Sequence, residues 1–141
     1  MTVGGFGSYT ATAFACLILL TGCGSGGPTR YPVSGKVTFK GEPIPQGFIT
    51  FEPDADQGNS GPGGGAQIDQ GVYSTGVEKG VVGGAYTVKI VGYDGKVITM
   101  EGEELKEGTP LFPPYYTSVD FPQSESTKDF DVPADVQAEA E

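Results

Sequence analysis

Residues 33–53, VSGKVTFKGEPIPQGFITFEP, decide the fold of this 141-residue chain. Between Pro32 and Lys40 every second residue is apolar or glycine: Val33, Gly35, Val37 and Phe39. This two-residue period is typical of a half-buried β-strand. The following GEPIPQG is rich in turn-forming residues, and FITFEP predicts a second strand. We therefore expect a β-hairpin in which the second strand pairs back on the first.

The rest of the chain continues as short alternating segments separated by turn-forming residues. Residues 54–65 form a loop by composition, and AQIDQGVYSTG predicts a strand interrupted by a turn at Asp69 to Gly71. GGAYTVKIVGYDGKVITM predicts a hairpin about Asp94-Gly95, in which one face is lined by Tyr86, Val88 and Ile90.

The C-terminal third carries weaker signals. EGEELKEG predicts at most a short helical turn, and TPLFPPYYTS predicts an extended or irregular segment because proline blocks helix and central ladder alike. Phe130 and Val132 alternate with polar residues and predict a last strand, and residues 134–141 form an acidic tail. With no helical period, the fold class expected for residues 31–133 is an all-β, antiparallel Greek-key β-sandwich of about seven strands.

Composition excludes several classes of function. The net charge is −10, and the eight Lys and Arg residues are scattered singly, so a nucleic-acid partner is not expected. The chain contains no His, which removes the commonest general base and most zinc sites. Both cysteines, Cys16 and Cys23, precede residue 24, so the domain has no disulfide framework and no Cys/His metal cluster.

The N-terminal segment predicts targeting and lipid attachment. ATAFACLILL, residues 11–20, matches the apolar part of a signal peptide and is shorter than the ~20 residues that a membrane-spanning helix needs. Next come Leu20, Thr21, Gly22 and Cys23, which resemble the lipobox of bacterial lipoproteins. Small residues before the cut suit the signal peptidase, and only a cysteine thiol accepts the diacylglyceryl group. We expect residues 1–22 to be the lipoprotein signal peptide and residues 23–30 a lipidated Cys with a flexible tether.

The lipobox resemblance implies an envelope location. A diacylglyceryl lipid on Cys23 anchors the chain to a membrane, and no other cofactor is expected. Gly24 follows the cysteine where Asp would favour retention, so resemblance to diderm sorting favours the outer membrane over the inner one. The alternatives are an ordinary cleaved signal peptide and an apolar tail with an accidental cysteine. The lack of Lys and Arg in residues 1–10 departs from the usual pattern of a signal peptide.

Two motifs carry a family resemblance. The first has the form G-x-V-x-x-x-G-x-P-h-x-x-G-x-h-x-F-x-P and runs through Gly35, Val37, Gly41, Pro43, Ile44, Gly47, Ile49, Phe51 and Pro53. The second runs through Gly71, Tyr73, Gly84, Tyr86, Val88 and Ile90. Together they resemble the carboxypeptidase regulatory-like, transthyretin-like domain of small planctomycete-type lipoproteins. The resemblance spans roughly residues 31–132 and implies a transthyretin-like sandwich without the catalytic zinc ligands.

Few residues are candidates for chemistry. Asp54, Asp56 and Asn59 present oxygen ligands in one loop, but the spacing departs from a calcium-binding EF-hand, and a solvated turn is the preferred interpretation. Lys36 lies in the first strand and would need an Asp partner for an internal isopeptide bond.

A second set lies near the C-terminus. A carboxylate run suits acid–base chemistry only if its members are buried, and otherwise forms a solvated face: Glu101, Glu103, Glu104 and Glu107. Phe112, Tyr115 and Tyr116 either contact a sugar or protein ligand or cover the open end of the sandwich, and the packing role is preferred.

The function expected from these features is non-catalytic. The chain is interpreted as a lipid-anchored envelope lipoprotein that serves as a structural or protein-interaction module, facing the periplasm or the outside. Its partners are then the membrane through the lipid, and envelope proteins or polysaccharide. The alternative is a ligand-binding protein for carbohydrate, peptide or calcium that uses the loops at the sandwich ends.

Overall fold

The computed structural model describes residues 4–5 and 26–137. This part of the chain is built of short strands and one 3₁₀ turn, Ala55–Gln57. The strands are β1 (Val33–Phe39), β2 (Glu42–Pro43), β3 (Gln46–Pro53), β4 (Gly64–Asp69), β5 (Val72–Ser74), β6 (Gly84–Tyr93), β7 (Ile98–Met100), β8 (Glu103–Leu105), β9 (Tyr115–Phe121), β10 (Ser126–Thr127) and β11 (Phe130–Val132).

Nine of these strands form one curled sheet. Its order is β10-β1-β5-β4-β3-β6-β9, with β2 and β11 also paired to β1, while β7 and β8 form a separate two-stranded sheet. Strands β3, β4 and β5 follow one another as hairpins, and β6 returns to lie beside β3, which is the Greek-key arrangement. The predicted all-β, sandwich-like fold is confirmed. Pairing is antiparallel except that β1 runs parallel to β10 and β11.

The predicted hairpin of β1 with β3 is wrong. β1 pairs with β2 at only two positions, Thr38–Pro43 and Phe39–Glu42. Ile44 then turns into the core, where it is fully buried, between two prolines that cannot continue the ladder. The chain thereby crosses to the centre of the sheet, where β3 pairs with both β4 and β6.

The predicted turn at Asp94-Gly95 is also wrong. These residues lie in one limb of a β-arm, residues 94–109, because the N–H of Asp94 donates to the carbonyl of Thr109 (3.0 Å) and that of Gly95 to Glu107 (3.0 Å). The arm ends in the β7–β8 hairpin, where a short helical turn at most was predicted.

Two-residue loops ending in glycine close three hairpins. They consist of Lys40-Gly41, Gln70-Gly71 and Glu101-Gly102. In each loop both residues have positive φ, the conformation of a type I′ turn. The turn at Gln70-Gly71 lies within the turn predicted at Asp69 to Gly71. The other two turns show that an x-Gly pair between two strands is the sequence signal for a hairpin in this protein.

A row of aromatic rings crosses the concave side of the sheet. The Phe51 ring lies 5.3 Å from that of Phe121, edge to face, and 6.1 Å from that of Tyr73. Phe121 continues the row to Tyr86 (5.8 Å), and Tyr73 continues it to Phe130 (6.2 Å). The row therefore connects edge strand β9 with edge strand β11 through the middle of the core.

The β1–β11 edge is held by a second set of contacts. The Tyr73 hydroxyl donates to the carbonyl oxygen of Lys128 at 2.6 Å, across the parallel edge. Burial raises the pKa of Tyr73 above its ordinary value of about 10, and the nearby Asp129 carboxylate raises it further. A Cβ on Gly35 would overlap the same Lys128 carbonyl, so glycine permits this close approach.

Gly35→Ala tests that approach. The added methyl group must displace the Lys128 carbonyl, so we expect the free energy of unfolding to fall by about 1–3 kcal/mol. Urea denaturation measures this, with Gly27→Ala as control because nothing lies near a Cβ at that position. Equal stability of the two variants would contradict the close packing of β1 on the C-terminal strands.

Tyr73→Phe tests the buried hydroxyl through pH. Folded and unfolded chains both keep the tyrosine proton below pH 10, but above it the unfolded chain ionises first, so stability falls by up to about 1.4 kcal/mol per pH unit. Tyr73→Phe should be about 1 kcal/mol less stable than the parent at pH 8, because the hydrogen bond is lost. Its stability should then fall less steeply above pH 10. Urea denaturation at several pH values measures both free energies of unfolding. The same dependence on pH in the two proteins would refute the raised Tyr73 pKa.

Candidate functional site

The predicted lipid-attachment residues, Leu20, Thr21, Gly22 and Cys23, lie outside the described residues. The segment that precedes the strands bonds to the β-domain at Arg30. The Arg30 guanidinium donates to the carbonyls of Gly63 (2.9 Å) and Gly80 (3.1 Å). Tyr31 then forms a β-bridge with Val81. The fold is thus joined to its N-terminal segment at one defined place, which we call the entry end.

The β-arm lies at the opposite end of the sheet from this attachment. The entry end contains the start of β1 and the start of β6, since Val33 pairs with Ser126 and Gly84 with Phe121. The arm follows Tyr93 at the other end of β6. Its exposed side chains include acidic and apolar ones: Val97, Met100, Glu101, Glu103, Glu104, Leu105 and Glu107. The carboxylates predicted as a run are thus all exposed, as on a solvated face.

The loop that carries the calcium candidates uses two of them for its own structure. Asp54 caps the 3₁₀ turn, and its carboxylate accepts from the N–H groups of Asp56 (3.1 Å) and Gln57 (3.2 Å). The nearly buried Asn59 amide donates to the Ala85 carbonyl at 2.8 Å and accepts from the Gly61 N–H at 3.1 Å. Asp56 is exposed. Among residues 4–5 and 26–137 no three Cys, Asp or Glu side chains converge as metal ligands would.

The three aromatic candidates have different surroundings. Phe112 is buried, with its ring 4.8 Å from that of Phe39. Tyr115 is half-buried and packs against the core. Tyr116 lies on the opposite face of β9, where the Lys89 ammonium is 5.8 Å from its ring centre. The structure therefore does not bring the three side chains together at one surface.

The isopeptide candidate Lys36 has an exposed side chain. Its backbone N–H donates to the Asp129 carboxylate at 2.8 Å, which secures the β1 edge. The geometry thus gives this Asp a structural contact with the lysine backbone rather than with its amine.

Two features of the structure were not predicted from the sequence. The carboxylate of Asp94 accepts from the N–H groups of Lys96 and Thr109, both at 3.0 Å, which closes the base of the arm and lowers the Asp94 pKa. Phe48 points outward from the middle of β3 and is 40% exposed. Its position in the alternation FITFEP, out of phase with buried Ile49 and Phe51, is the signal that could have identified it.

No family model, curated protein or solved structure matches this chain. The resemblance to carboxypeptidase regulatory-like domains therefore stays a prediction. Within the part of the chain that the structure describes, no helix has the length and apolar character needed to cross a membrane.

Asn59→Ala separates a structural role from a calcium role. Loss of the amide leaves the Ala85 and Gly61 backbone groups without this partner, so the free energy of unfolding should fall by about 1–3 kcal/mol, with or without calcium. Asp56→Ala, in the same loop but exposed, should change stability by less than about 0.5 kcal/mol. Thermal unfolding with and without calcium measures both. A calcium-dependent rise in the parent's melting temperature that either variant abolishes would contradict the structural role.

Proposed function

We propose that this protein is a lipid-anchored, non-catalytic lipoprotein of the cell envelope, acting as a structural or protein-interaction module. The observation that carries the proposal is the order of three segments along the chain. An apolar stretch ends in Leu20-Thr21-Gly22-Cys23, the Gly-rich GSGGPT follows, and Arg30 then bonds to the β-domain. This order is that of a signal peptide, a lipid-acceptor cysteine, a tether and a displayed domain.

The tether would set the domain's distance from the membrane. Six residues, GSGGPT, lie between Cys23 and Arg30, and the seven Cα–Cα steps from Cys23 to Arg30 span at most about 25 Å at full extension. Because Arg30 is attached at the entry end, that end would face the bilayer and the β-arm would point away from it. The arm, with its acidic and apolar side chains, is then the part of the domain best placed to meet other envelope proteins.

The non-catalytic part of the proposal is supported by composition. The chain has no His, and both cysteines precede the domain, so it cannot supply imidazole- or thiol-based chemistry there. A transthyretin-like accessory domain of the carboxypeptidase regulatory type would have this character. An outer-membrane location is the corresponding part of the proposal, and it rests on Gly24 after Cys23.

Cys23→Ser tests the anchor. In a lipoprotein-processing host, the parent should yield a chain that begins at Cys23 and carries added acyl mass, because the thiol is the acceptor of the diacylglyceryl group. Cys23→Ser should lack that mass and leave the membrane fraction while the domain stays folded. Intact-mass spectrometry of membrane extracts measures the modification.

Cys16→Ser is the matched control, since it changes the other cysteine of the same segment. It should be lipidated like the parent. An unmodified parent chain, or cleavage elsewhere, would refute the lipoprotein proposal.

A further inference from the structure

The outward side of the curled sheet carries polar and aromatic side chains together. Register places Phe48 beside Gln67 on β4 and Val91 on β6, with all three side chains on the face opposite the core. The next row toward the entry end contains Thr50, Lys89 and Tyr116 on β3, β6 and β9, with Gly65 on β4. We call these outward positions of β4, β3, β6 and β9 the outer face.

Aromatic rings are spread over the outer face rather than clustered. Phe48 is 40% exposed at its centre, and Tyr93 and Tyr116 are half-buried on either side. Strand spacing puts Phe48 and Tyr116 about 12 Å apart. Exposed rings offer an apolar, electron-rich face to C–H groups of a ligand. A ligand that reaches both rings must be longer than one sugar ring.

Neutral hydrogen-bonding groups surround the central ring. Gln46 and Gln67 provide amides on two sides of Phe48, and Thr50 provides a hydroxyl on the same strand. The charged groups around these are the carboxylates of Glu52, Asp69 and Glu107 and the ammonium groups of Lys79 and Lys89. Three carboxylates and two ammonium groups thus surround the patch, so it is much less acidic than the protein as a whole, whose net charge is −10. Such a surface suits a neutral ligand rich in hydroxyl groups.

The surface around Phe48 is also concave on both sides. A depression of about 240 Å³ is bounded by Gln46, Gln67, Asp69 and Glu107. A second, of about 870 Å³, is lined by residues of β3, β4 and β5, among them Gly63–Gly65. Phe48 and Gln67 belong to both depressions. A chain-like ligand stacked on Phe48 therefore extends into a depression in each direction.

We propose that the outer face binds a neutral oligosaccharide, with Phe48 as the stacking ring and Gln46 and Gln67 as hydrogen-bonding partners. β-1,4-linked pyranose chains match this surface because their flat faces expose C–H groups and their edges carry hydroxyls. Among the described residues of β4, β3, β6 and β9, Phe48 is the one strongly exposed large apolar side chain, and the exposed Val72 of β5 lies beside Asp69 at the border of this face. So sparse an apolar surface disfavours a large protein interface. The inference specifies the partner of the proposed envelope module, and its chemistry does not require the lipid.

The test is NMR titration of the full chain in detergent micelles with cellohexaose and with chitohexaose. At about 10 mM probe, either sugar should shift amide resonances within residues 46–52, 65–69 and 89–93 and at Tyr116. Phe48→Ala should weaken binding at least tenfold, which is about 1.4 kcal/mol. Gln67→Ala, exposed and outside the core, is a second variant that should also weaken it.

Met100→Ala is the control, because Met100 is an apolar residue of the β7–β8 hairpin that is 58% exposed and lines neither depression. It should bind as the parent does. Absence of shifts with both sugars, shifts centred elsewhere, or unchanged affinity of Phe48→Ala and Gln67→Ala would overturn the inference. If the chain carries no acyl mass but shows these shifts, the lipid anchor alone is refuted. If the chain is lipidated but shows no shifts with either sugar, the oligosaccharide site alone is refuted.

Discussion

The curled sheet depends on the row of aromatic contacts centred on Phe51. Its ring packs between Tyr73 and Phe121, so the central strand contacts side chains from both halves of the sheet. Phe130 and Tyr86 extend the row at its two ends. Each such ring contributes about 1.5–3 kcal/mol by burial, and edge-to-face geometry adds to it. A flat sheet could not bring these rings together, so the curl of the strands follows from their packing.

Polar contacts also hold the C-terminal strands β10 and β11 against β1. β1 has antiparallel partners on one side and the parallel strands β10 and β11 on the other. The Tyr73 hydroxyl and the Asp129 carboxylate each bond to backbone across this edge. Gly35 leaves room for the crossing chain. The last strands thus cover an edge that would otherwise be open to pairing with other chains.

The same architecture separates two kinds of surface. At the ends of the sheet, Asp54, Asn59 and Asp94 use their side chains to hold loops in place. On the outer face, the side chains of β3 and its neighbouring strands point away from the core, and they present the Phe48 ring among amides and hydroxyls. The proposed anchor joins at the entry end, which leaves the outer face along the side of the domain and accessible from solvent.

Alternation and turn chemistry act over a few residues, so local sequence alone determined the strand-rich fold class. It also determined the turn before Val72, the last strand at Phe130 and three inward residues of β6, namely Tyr86, Val88 and Ile90. The predicted lipid-attachment motif is equally local, since it consists of consecutive residues ending in Cys23. Which strands pair was decided only by tertiary structure. Both Asp94-Gly95 and the β1–β3 connection have hairpin chemistry, yet β3 pairs with β4 and β6 because the longer ladders and the aromatic row outweigh a local turn. The outer face likewise exists only once register aligns β4, β3, β6 and β9, since its residues are distant along the chain.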